Sequence, residues 1–252
     1  MATVSIVVPV HNAEDFILST VSMVQAQTFE DWELLLVENG SIDDTKPILR
    51  ELMENTLEKR IKVDFFTCKE KGPAPARNRG VELASGRYIA FLDADDVWNR
   101  YKLEKQIKFM EEKQAAFSCT EYEFGDEKAV GTGNIVKVPE VMGYKKALSR
   151  TVIFTSTVMF DMEMIDKESI KMPVVGSEDT ATWWRILRSG YKVYGLKETL
   201  AIYRRPAQSL SSNKGKAITR IWNLYRNEEK LNVLASAWYF AGWAIRATLR
   251  RI

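Results

Sequence analysis

The stretch Arg87-Tyr-Ile-Ala-Phe-Leu-Asp-Ala-Asp-Asp-Val-Trp98 decides the fold, because an apolar run ends there in a group of acidic residues. Residues 88–92 are too few for a typical helix and have the length of a buried strand. In an open α/β sheet, ligands bind beyond the carboxyl ends of the strands, so Asp93, Asp95 and Asp96 are expected at a binding site. Clustered carboxylates raise one another's pKa unless they share a cation, and these hard oxygen ligands favour Mn²⁺ or Mg²⁺. The competing interpretation is an acidic turn that caps the next helix.

Strands and helices alternate through the rest of the chain. In the first part, buried strands are predicted at residues 3–10, 32–37, 61–66 and 88–92, with helical patterns between them. Later patterns predict strands at 116–122, 152–160 and 191–194, a hairpin or loop at 123–138, and helices at 99–113 and 177–189. This alternation predicts an α/β fold with a mostly parallel central sheet flanked by helices.

Composition indicates an ordinary globular protein. The 252 residues are 46% hydrophobic and 28% charged, enough for one large domain or for a domain with an appendage. Cys68 and Cys119 lie in apolar contexts, so both are predicted to be reduced packing residues of a cytoplasmic protein. Pro9 and His11 interrupt the first apolar run, and therefore neither a secretory signal nor a membrane-spanning helix is expected.

The C-terminal segment has a charge pattern of its own. The net charge is +2, but residues 214–252 carry eight basic and two acidic side chains, so the preceding body is acidic. Apolar residues, Trp238 among them, recur there at helical spacing beside Trp243, Arg246 and Arg250. We expect an amphipathic helix in contact with an anionic membrane. The alternative is packing on the domain or on another subunit of a homo-oligomer. Nucleic-acid binding is disfavoured, because aliphatic residues interrupt the basic ones.

Polar side chains lie at the predicted strand ends, at residues 9–12, 38–39, 71–79 and 93–96. Because the carboxyl ends of parallel strands meet at one edge of a sheet, these segments are expected to share a crevice. Glu38 or Asn39 suits the reading of a base, and Lys71 and Arg77 are cations suited to phosphates. The set fits a nucleoside diphosphate better than a dinucleotide, because neither Gly-x-Gly-x-x-Gly nor a P-loop follows the first strand.

Five ordered segments resemble the signature series of the family 2 inverting glycosyltransferases, at residues 5–12, 27–34, 38–45, 76–80 and 84–96. Their order and spacing match over residues 4 to about 212. The resemblance implies a GT-A fold, which is Rossmann-like, a nucleotide-diphosphate sugar donor and a divalent metal. We accordingly predict a GT-A domain at 1–212, with a nucleotide-binding half (1–98) and an acceptor-binding half (99–212), and a basic helical segment at 213–252.

The resemblance also implies roles for individual residues. Pro9 and His11 would border the base and ribose, Asn39 would meet the pyrimidine edge, Asp93 the ribose or sugar, and Asp95 the metal. The predicted donor-binding set is Pro9, His11, Asn12, Glu14, Glu38, Asn39, Lys71, Arg77, Asp93, Ala94 and Asp95. Many members have Asp-Asp at the Glu38-Asn39 position and Tyr at the His11 position. An amide oxygen still accepts a hydrogen bond from a pyrimidine N–H.

A second landmark resembles the family motif Glu-Asp-x-x-x-Trp-x-Arg, at residues 178–185. The resemblance implies that Asp179 is the general base that deprotonates the acceptor hydroxyl. Glu178, Trp183 and Trp184 are candidate acceptor-binding residues. Judged locally, acidic residues at a helix start also fit capping, and tryptophans at helical spacing also fit the core.

A later segment, residues 203–211, resembles the region in which many members place a metal-binding His. Pro206 stands at that position here. The metal would then rest on Asp95, the diphosphate and water, and Arg204 or Arg205 would contact phosphate.

The sequence therefore predicts a metal-dependent inverting enzyme. It would move a sugar from a UDP-sugar or dTDP-sugar to a glycan acceptor, a lipid-linked cell-surface polysaccharide or cell-wall precursor, at the cytoplasmic membrane face. The alternatives are a noncatalytic sugar-nucleotide or glycan-binding scaffold and a sugar-nucleotide pyrophosphorylase. The latter is disfavoured, because residues 11–16 form no Gly-rich basic loop.

Overall fold

A computed structural model describes residues 2–55, 59–70, 72–205 and 214–249. The strands are β1 (Val4–Val10), β2 (Trp32–Asn39), β3 (Ile61–Phe66), β4 (Tyr88–Phe91), β5 (Val97–Trp98), β6 (Phe117–Gly125), β7 (Gly131–Val136), β8 (Val141–Met142), β9 (Met159–Asp161) and β10 (Val193–Arg204). The helices are α1 (Ile17–Gln25), α2 (Thr45–Asn55), α3 (Ala74–Leu83), α4 (Lys102–Lys113), α5 (Tyr144–Leu148), α6 (Lys167–Ile170), α7 (Glu178–Arg188), α8 (Lys214–Asn223) and α9 (Val233–Leu249).

The first four strands form a parallel sheet in the order β3-β2-β1-β4. In β1, Val7 pairs with Leu35 on one side and with Phe91 on the other. These strands read as continuous apolar runs because helices cover both faces of a parallel sheet. Helix α3 lies so close to β1 that a Cβ on Gly80 would stand 2.3 Å from the Val7 side chain. Because the four strands are parallel, the loops that follow them meet at one edge of the sheet.

The second half of the sheet is mixed. Strand β9 runs antiparallel between β4 and β6, β10 is parallel to β6, and β5 is antiparallel to β10. The predicted α/β class with a central sheet and flanking helices is confirmed, while the antiparallel pairings of this half did not follow from the alternation of elements. Through the β5 pairing, the chain just after the acidic residues is held against the end of β10.

Two predicted strands differ from the observed ones. Of residues 152–160, only the end joins β9, and Thr155–Thr157 forms a 3₁₀ turn. The Thr157 hydroxyl and N–H both donate to the Phe154 carbonyl, a local bond that competes with strand pairing. The strand predicted at 191–194 continues as the much longer β10, whose register shifts between Leu196 and Ala201 hide its period.

The C-terminal segment packs on α5 and α7. Helix α8 passes into a π-helical turn, Leu224–Glu228, before α9 begins. The buried Glu229 carboxylate accepts hydrogen bonds from Tyr144 and Arg188. Within α9, the Trp243 indole donates to the Thr151 hydroxyl at 3.1 Å. None of the helices in the described ranges combines the length and hydropathy needed to cross a bilayer.

Candidate active site

A cavity of about 820 Å³ opens at the carboxyl ends of β1, β2 and β4. Most of the predicted donor-binding residues line it: Pro9, His11, Asn12, Asn39, Arg77, Asp93, Ala94 and Asp95. Cys68 and Lys69, which the sequence analysis did not select, line the same wall. Lys71 lies outside the described residues. The expectation that distant strand ends share one crevice is confirmed for this part of the chain.

Hydrogen bonds hold one wall of the cavity, at the loops after β1 and β2. His11 Nδ1 lies 2.9 Å from the Asn39 backbone oxygen, and the Asn39 side-chain oxygen accepts from the Cys68 N–H at 3.3 Å. Asn12 has a left-handed backbone, with φ of 48°, and its side-chain oxygen accepts from the Ile42 N–H at 3.0 Å. These polar side chains fix the shape of the wall around the cavity.

Two of the predicted donor ligands instead brace the loops. The Glu38 carboxylate is buried and accepts from the Ser41 N–H at 2.6 Å, with Lys46 Nζ at 4.0 Å. The Glu14 carboxylate accepts from the Asp44 N–H at 2.8 Å. Neither residue lines the cavity, and these contacts indicate that both carboxylates brace the loops, so donor binding by Glu14 and Glu38 stays a prediction. Unsatisfied backbone N–H groups in the turn after β2 attract both carboxylates.

The three acidic residues after β4 have different environments. Asp93 and Asp95 line the cavity, whereas Asp96 is buried and accepts from the Ser156 hydroxyl and the Arg204 N–H. Burial, with Asp93 nearby, raises the pKa of Asp95, and burial raises that of Asp96 well above its usual value. The competing interpretation of an acidic turn that caps the next helix does not hold for Asp96, because α4 begins only at Lys102 and the Asp96 carboxylate is bonded to Ser156 and Arg204 instead.

A divalent metal fits the chemistry of this acidic group. In the part of the chain that the structure describes, no three acidic, His or Cys side chains gather as a complete protein ligand set. Mg²⁺ usually binds through one or two carboxylates together with substrate phosphates and water. Asp95 at the cavity wall, with Asp93 beside it, meets that requirement. A cation there would offset the cost of keeping the partly buried Asp95 ionised.

Arg77 joins the donor cavity to the start of α7. Its Nη2 lies 2.6 Å from Asp93 Oδ1, and its Nη1 lies 2.8 Å from Glu178 Oε1. Burial alone would lower the pKa of Arg77, but Asp93 and Glu178 outweigh it and raise this pKa. Both Nη atoms therefore serve carboxylates, and the residue is only 4% exposed. Its expected role as a phosphate-binding cation is not what its contacts indicate; they make it a positioning residue.

Asp179 lies in the first turn of α7, beside this bridge. Its Oδ2 is 3.4 Å from the Thr155 hydroxyl, and its Oδ1 accepts from the Thr180 N–H at 2.6 Å. Burial and the neighbouring Asp179 raise the pKa of Glu178. Ser177, just before the helix, has a left-handed backbone with φ of 62°. The turn thus presents two carboxylates toward Arg77 and the 3₁₀ turn.

The two tryptophans of the motif do not face a ligand site. Trp183 packs among the rings of Phe91, Phe117 and Phe160, and Trp184 stacks on Tyr225 with ring centroids 5.0 Å apart. They are 2% and 1% exposed. Their assignment to acceptor binding was wrong. Both tryptophans belong to the hydrophobic core, as their helical spacing alone also allowed.

The sequence analysis did not select Ser156, and it considered Arg204 only as a phosphate contact. The Ser156 hydroxyl accepts from the Asp93 N–H at 3.0 Å, and the Arg204 Nε donates to the Asp95 carbonyl at 2.6 Å. Arg204 also lies over the Phe16 ring, 4.6 Å from its centroid. These contacts fix the backbone of the acidic group. Position 206, where the metal-binding His was sought, lies outside the described residues.

A family model described as glycosyl transferase family 2 matches residues 5–170. The chain belongs to this family. Among its relatives is a Bacillus subtilis (strain 168) protein assigned to teichuronic acid biosynthesis as the glycosyltransferase TuaG; it is 39% identical over 99% of this chain and 97% of its own length. An Escherichia coli UDP-Glc:α-D-GlcNAc-diphosphoundecaprenol β-1,3-glucosyltransferase, WfaP, is 34% identical over 90% of this chain and 87% of its own.

Solved structures show the same GT-A fold as this glycosyltransferase. The S. aureus TarS 1-349 structure in complex with UDP-GlcNAc has a TM-score of 0.69 and 18% identity, over 96% of this chain and 71% of that one. The mannosyltransferase PcManGT from Pyrobaculum calidifontis, in complex with GDP-Man and Mn²⁺, has a TM-score of 0.71 and 18% identity, over 97% and 73%. The resemblance noted in the sequence is confirmed for family and fold.

Proposed function

We propose that this glycosyltransferase transfers a sugar, with inversion and with help from Mn²⁺ or Mg²⁺, from a UDP-sugar or dTDP-sugar to a hydroxyl of a glycan acceptor. One observation supports the proposal most. Through Arg77, the cavity residue Asp93 is tied to Glu178, the neighbour of Asp179. A base is thereby held in fixed relation to the cavity in which a donor would lie. The name of one relative supports the choice of donor, since WfaP is named for UDP-Glc.

Asp179 is the proposed general base. Its carboxylate takes the proton of the acceptor hydroxyl as that oxygen bonds to the anomeric carbon, on the face opposite the diphosphate. The bond between the anomeric carbon and the phosphate oxygen breaks, and its electron pair leaves with the nucleoside diphosphate. A single displacement of this kind inverts the anomeric centre. A base of this type contributes roughly 10²- to 10⁴-fold to the rate.

The remaining residues bind and orient. Asn39 and His11 are proposed to meet the pyrimidine and ribose, and Asp93 the ribose or sugar. Asp95 would hold the metal, which when bound neutralises charge on the departing diphosphate. Residues 1–98 would thus serve the nucleotide and 99–212 the acceptor.

Turnover distinguishes this proposal from a noncatalytic scaffold. The protein is incubated with a panel of UDP- and dTDP-sugars and Mn²⁺, with and without GlcNAc-diphosphoundecaprenol, the acceptor in the name of WfaP. Release of UDP or dTDP above the enzyme-free rate is expected for at least one donor. Donor binding without any release would contradict the proposal and favour the scaffold. Release from dTDP-sugars alone would identify the nucleotide instead.

We also propose that α9 contacts an anionic membrane, which places the enzyme at the cytoplasmic face where a lipid-linked acceptor would lie. Leu234 is 83% and Trp238 78% exposed, and Ile245 lies exposed two turns further along α9. Exposed apolar residues beside cations fit the interface of an anionic bilayer. The cations are Arg246 on α9 and Lys230 just before it.

Vesicle sedimentation tests the membrane contact. The parent should pellet with phosphatidylglycerol vesicles more than with phosphatidylcholine vesicles, and the double variant Leu234→Ser, Trp238→Ser should lose that preference. Ile42→Ser is the matched control, because Ile42 is 91% exposed in the loop after β2. Equal pelleting of the parent and the double variant would refute the proposal. A dimer that the double variant splits would instead assign α9 to a second copy of the chain.

A further inference from the structure

Four aromatic residues gather at the carboxyl ends of β6 and β10 and are called the aromatic cluster here. Tyr122 and Phe124 belong to β6, Tyr203 to β10, and Phe154 to the segment just before the 3₁₀ turn. The ring centroids of Phe154 and Tyr203 are 4.4 Å apart, those of Tyr122 and Phe154 5.0 Å, and those of Phe124 and Tyr203 5.9 Å. Tyr122 is buried, whereas the other three residues are only partly buried.

Two members of the aromatic cluster are sequence neighbours of residues at the proposed reaction centre. Thr155, which follows Phe154, has its hydroxyl 3.4 Å from a carboxylate oxygen of Asp179. Arg204, which follows Tyr203, donates from its guanidinium to the Asp95 carbonyl at 2.6 Å. Phe154 and Tyr203 are thus each one residue along the chain from a side chain that contacts the proposed base or the backbone of the proposed metal ligand.

We propose that the aromatic cluster is the acceptor subsite, on which a hexopyranose residue of the acceptor glycan stacks its C–H face against Phe154, Tyr203 and Phe124. The inference rests on the proposed function, since it places the acceptor beside Asp179. A pyranose ring has an apolar face of C–H groups and a polar rim of hydroxyls. The negative face of an aromatic ring attracts such C–H groups, and a flat ring matches the flat face of the sugar.

Two further features favour a ligand site over simple packing. Three of the rings are packed on the core but only partly buried, at the carboxyl ends of β6 and β10, which is the edge of the sheet where ligands of α/β proteins bind. The Arg205 guanidinium lies 4.7 Å from the centroid of the Phe124 ring. The guanidinium thus covers one face of Phe124 as a cation–π partner and brings N–H donors to the aromatic cluster.

The test measures sugar binding directly. Saturation-transfer NMR follows the methyl glycosides of glucose, galactose, N-acetylglucosamine and N-acetylgalactosamine, each with the parent protein and UDP. The variants are Phe154→Leu and Tyr203→Leu, which keep apolar volume and lose the flat ring. Phe29→Leu is the matched control, because Phe29 is partly buried near the start of β2, at the opposite edge of the sheet.

At least one glycoside should receive saturation from the parent, and its affinity should fall roughly fivefold or more in Phe154→Leu and Tyr203→Leu but not in Phe29→Leu. The proposal is overturned if no glycoside binds the parent, or if both cluster variants bind as the parent does. UDP release from the donor panel without acceptor is measured on the same samples. That release decides the proposed function separately, because release by the parent protein needs no acceptor.

Discussion

Replacing Arg77 by Met should destabilise the protein far more than an ordinary surface substitution. The parent guanidinium serves Asp93 at 2.6 Å and Glu178 at 2.8 Å, and the three side chains are 5%, 25% and 16% exposed. Removal of one partner from a buried ion pair costs about 3–5 kcal/mol. Because both carboxylates retain some contact with water, we expect the low end of that range, about 3 kcal/mol.

The loss should depend on pH in a defined direction. Without Arg77, the carboxylates of Asp93, Glu178 and Asp179 repel one another, and the already raised pKa of Glu178 rises further. The variant should therefore lose most stability at pH values at which Glu178 is ionised. As the pH falls through the raised pKa of Glu178, its protonation relieves the repulsion, so the stability difference between parent and variant should shrink.

Urea unfolding at several pH values measures both effects. Arg79→Met is the matched control: it lies on the same helix, is paired with Asp64 at 2.8 Å and is solvent-accessible, so its loss should change stability little. A difference below about 1 kcal/mol at neutral pH for Arg77→Met, or one that does not change with pH, would refute the bridging role. Donor turnover should also fall, on the order of 10²-fold, because misplaced groups lose effective molarity.

Three other substitutions probe the remaining assignments. Asp95→Asn should abolish the gain in UDP affinity that Mn²⁺ gives the parent in calorimetric titrations; an unchanged gain would remove Asp95 from the metal site. Burial alone would raise the pKa of Glu33, but hydrogen bonds, chiefly from Lys62, lower this pKa to about 2. The ionised Glu33 therefore stabilises the fold above pH about 4.5, and this stabilisation is lost as the pH falls toward 2. Glu33→Gln should lower the free energy of unfolding by about 3 kcal/mol at pH 7 and make this free energy depend less on pH in acid. Trp184→Leu should lose its stacking on Tyr225 and about 2–4 kcal/mol of stability in thermal unfolding, while the acceptor KM stays unchanged; a raised KM would restore this residue to the acceptor site.

The donor side of the site could be predicted because its signals are local. Each strand of the parallel half is a short apolar run, and the residues that follow it must reach the same edge of the sheet. His11, Asn39 and Asp95 were found in this way, and the structure brings all three to one cavity. Sequence spacing does not, however, tell which way a side chain points in a turn. Glu14 and Glu38 are examples, since loop N–H groups hold their carboxylates in the turn after β2.

The acceptor side was harder because its contacts are long-range. The antiparallel return through β9 and the shifted register of β10 bring Ser156 and Arg204 to the acidic group, and no periodic pattern announces either contact. The motif around Asp179 directed attention to its tryptophans, which helical spacing alone places equally well in the core. The partly exposed rings of Phe154 and Tyr203 carry no motif, and they become visible only where three separate segments meet.

The most direct test of the central claim is the turnover of Asp179→Asn. The isosteric amide keeps the turn but cannot take a proton, so transfer should fall roughly 10²- to 10⁴-fold while UDP binding stays at the parent level. Asp166→Asn, which alters a cap of α6, is the matched control and should retain activity. Transfer by Asp179→Asn within tenfold of the parent, at equal donor saturation, would contradict the assignment of the general base.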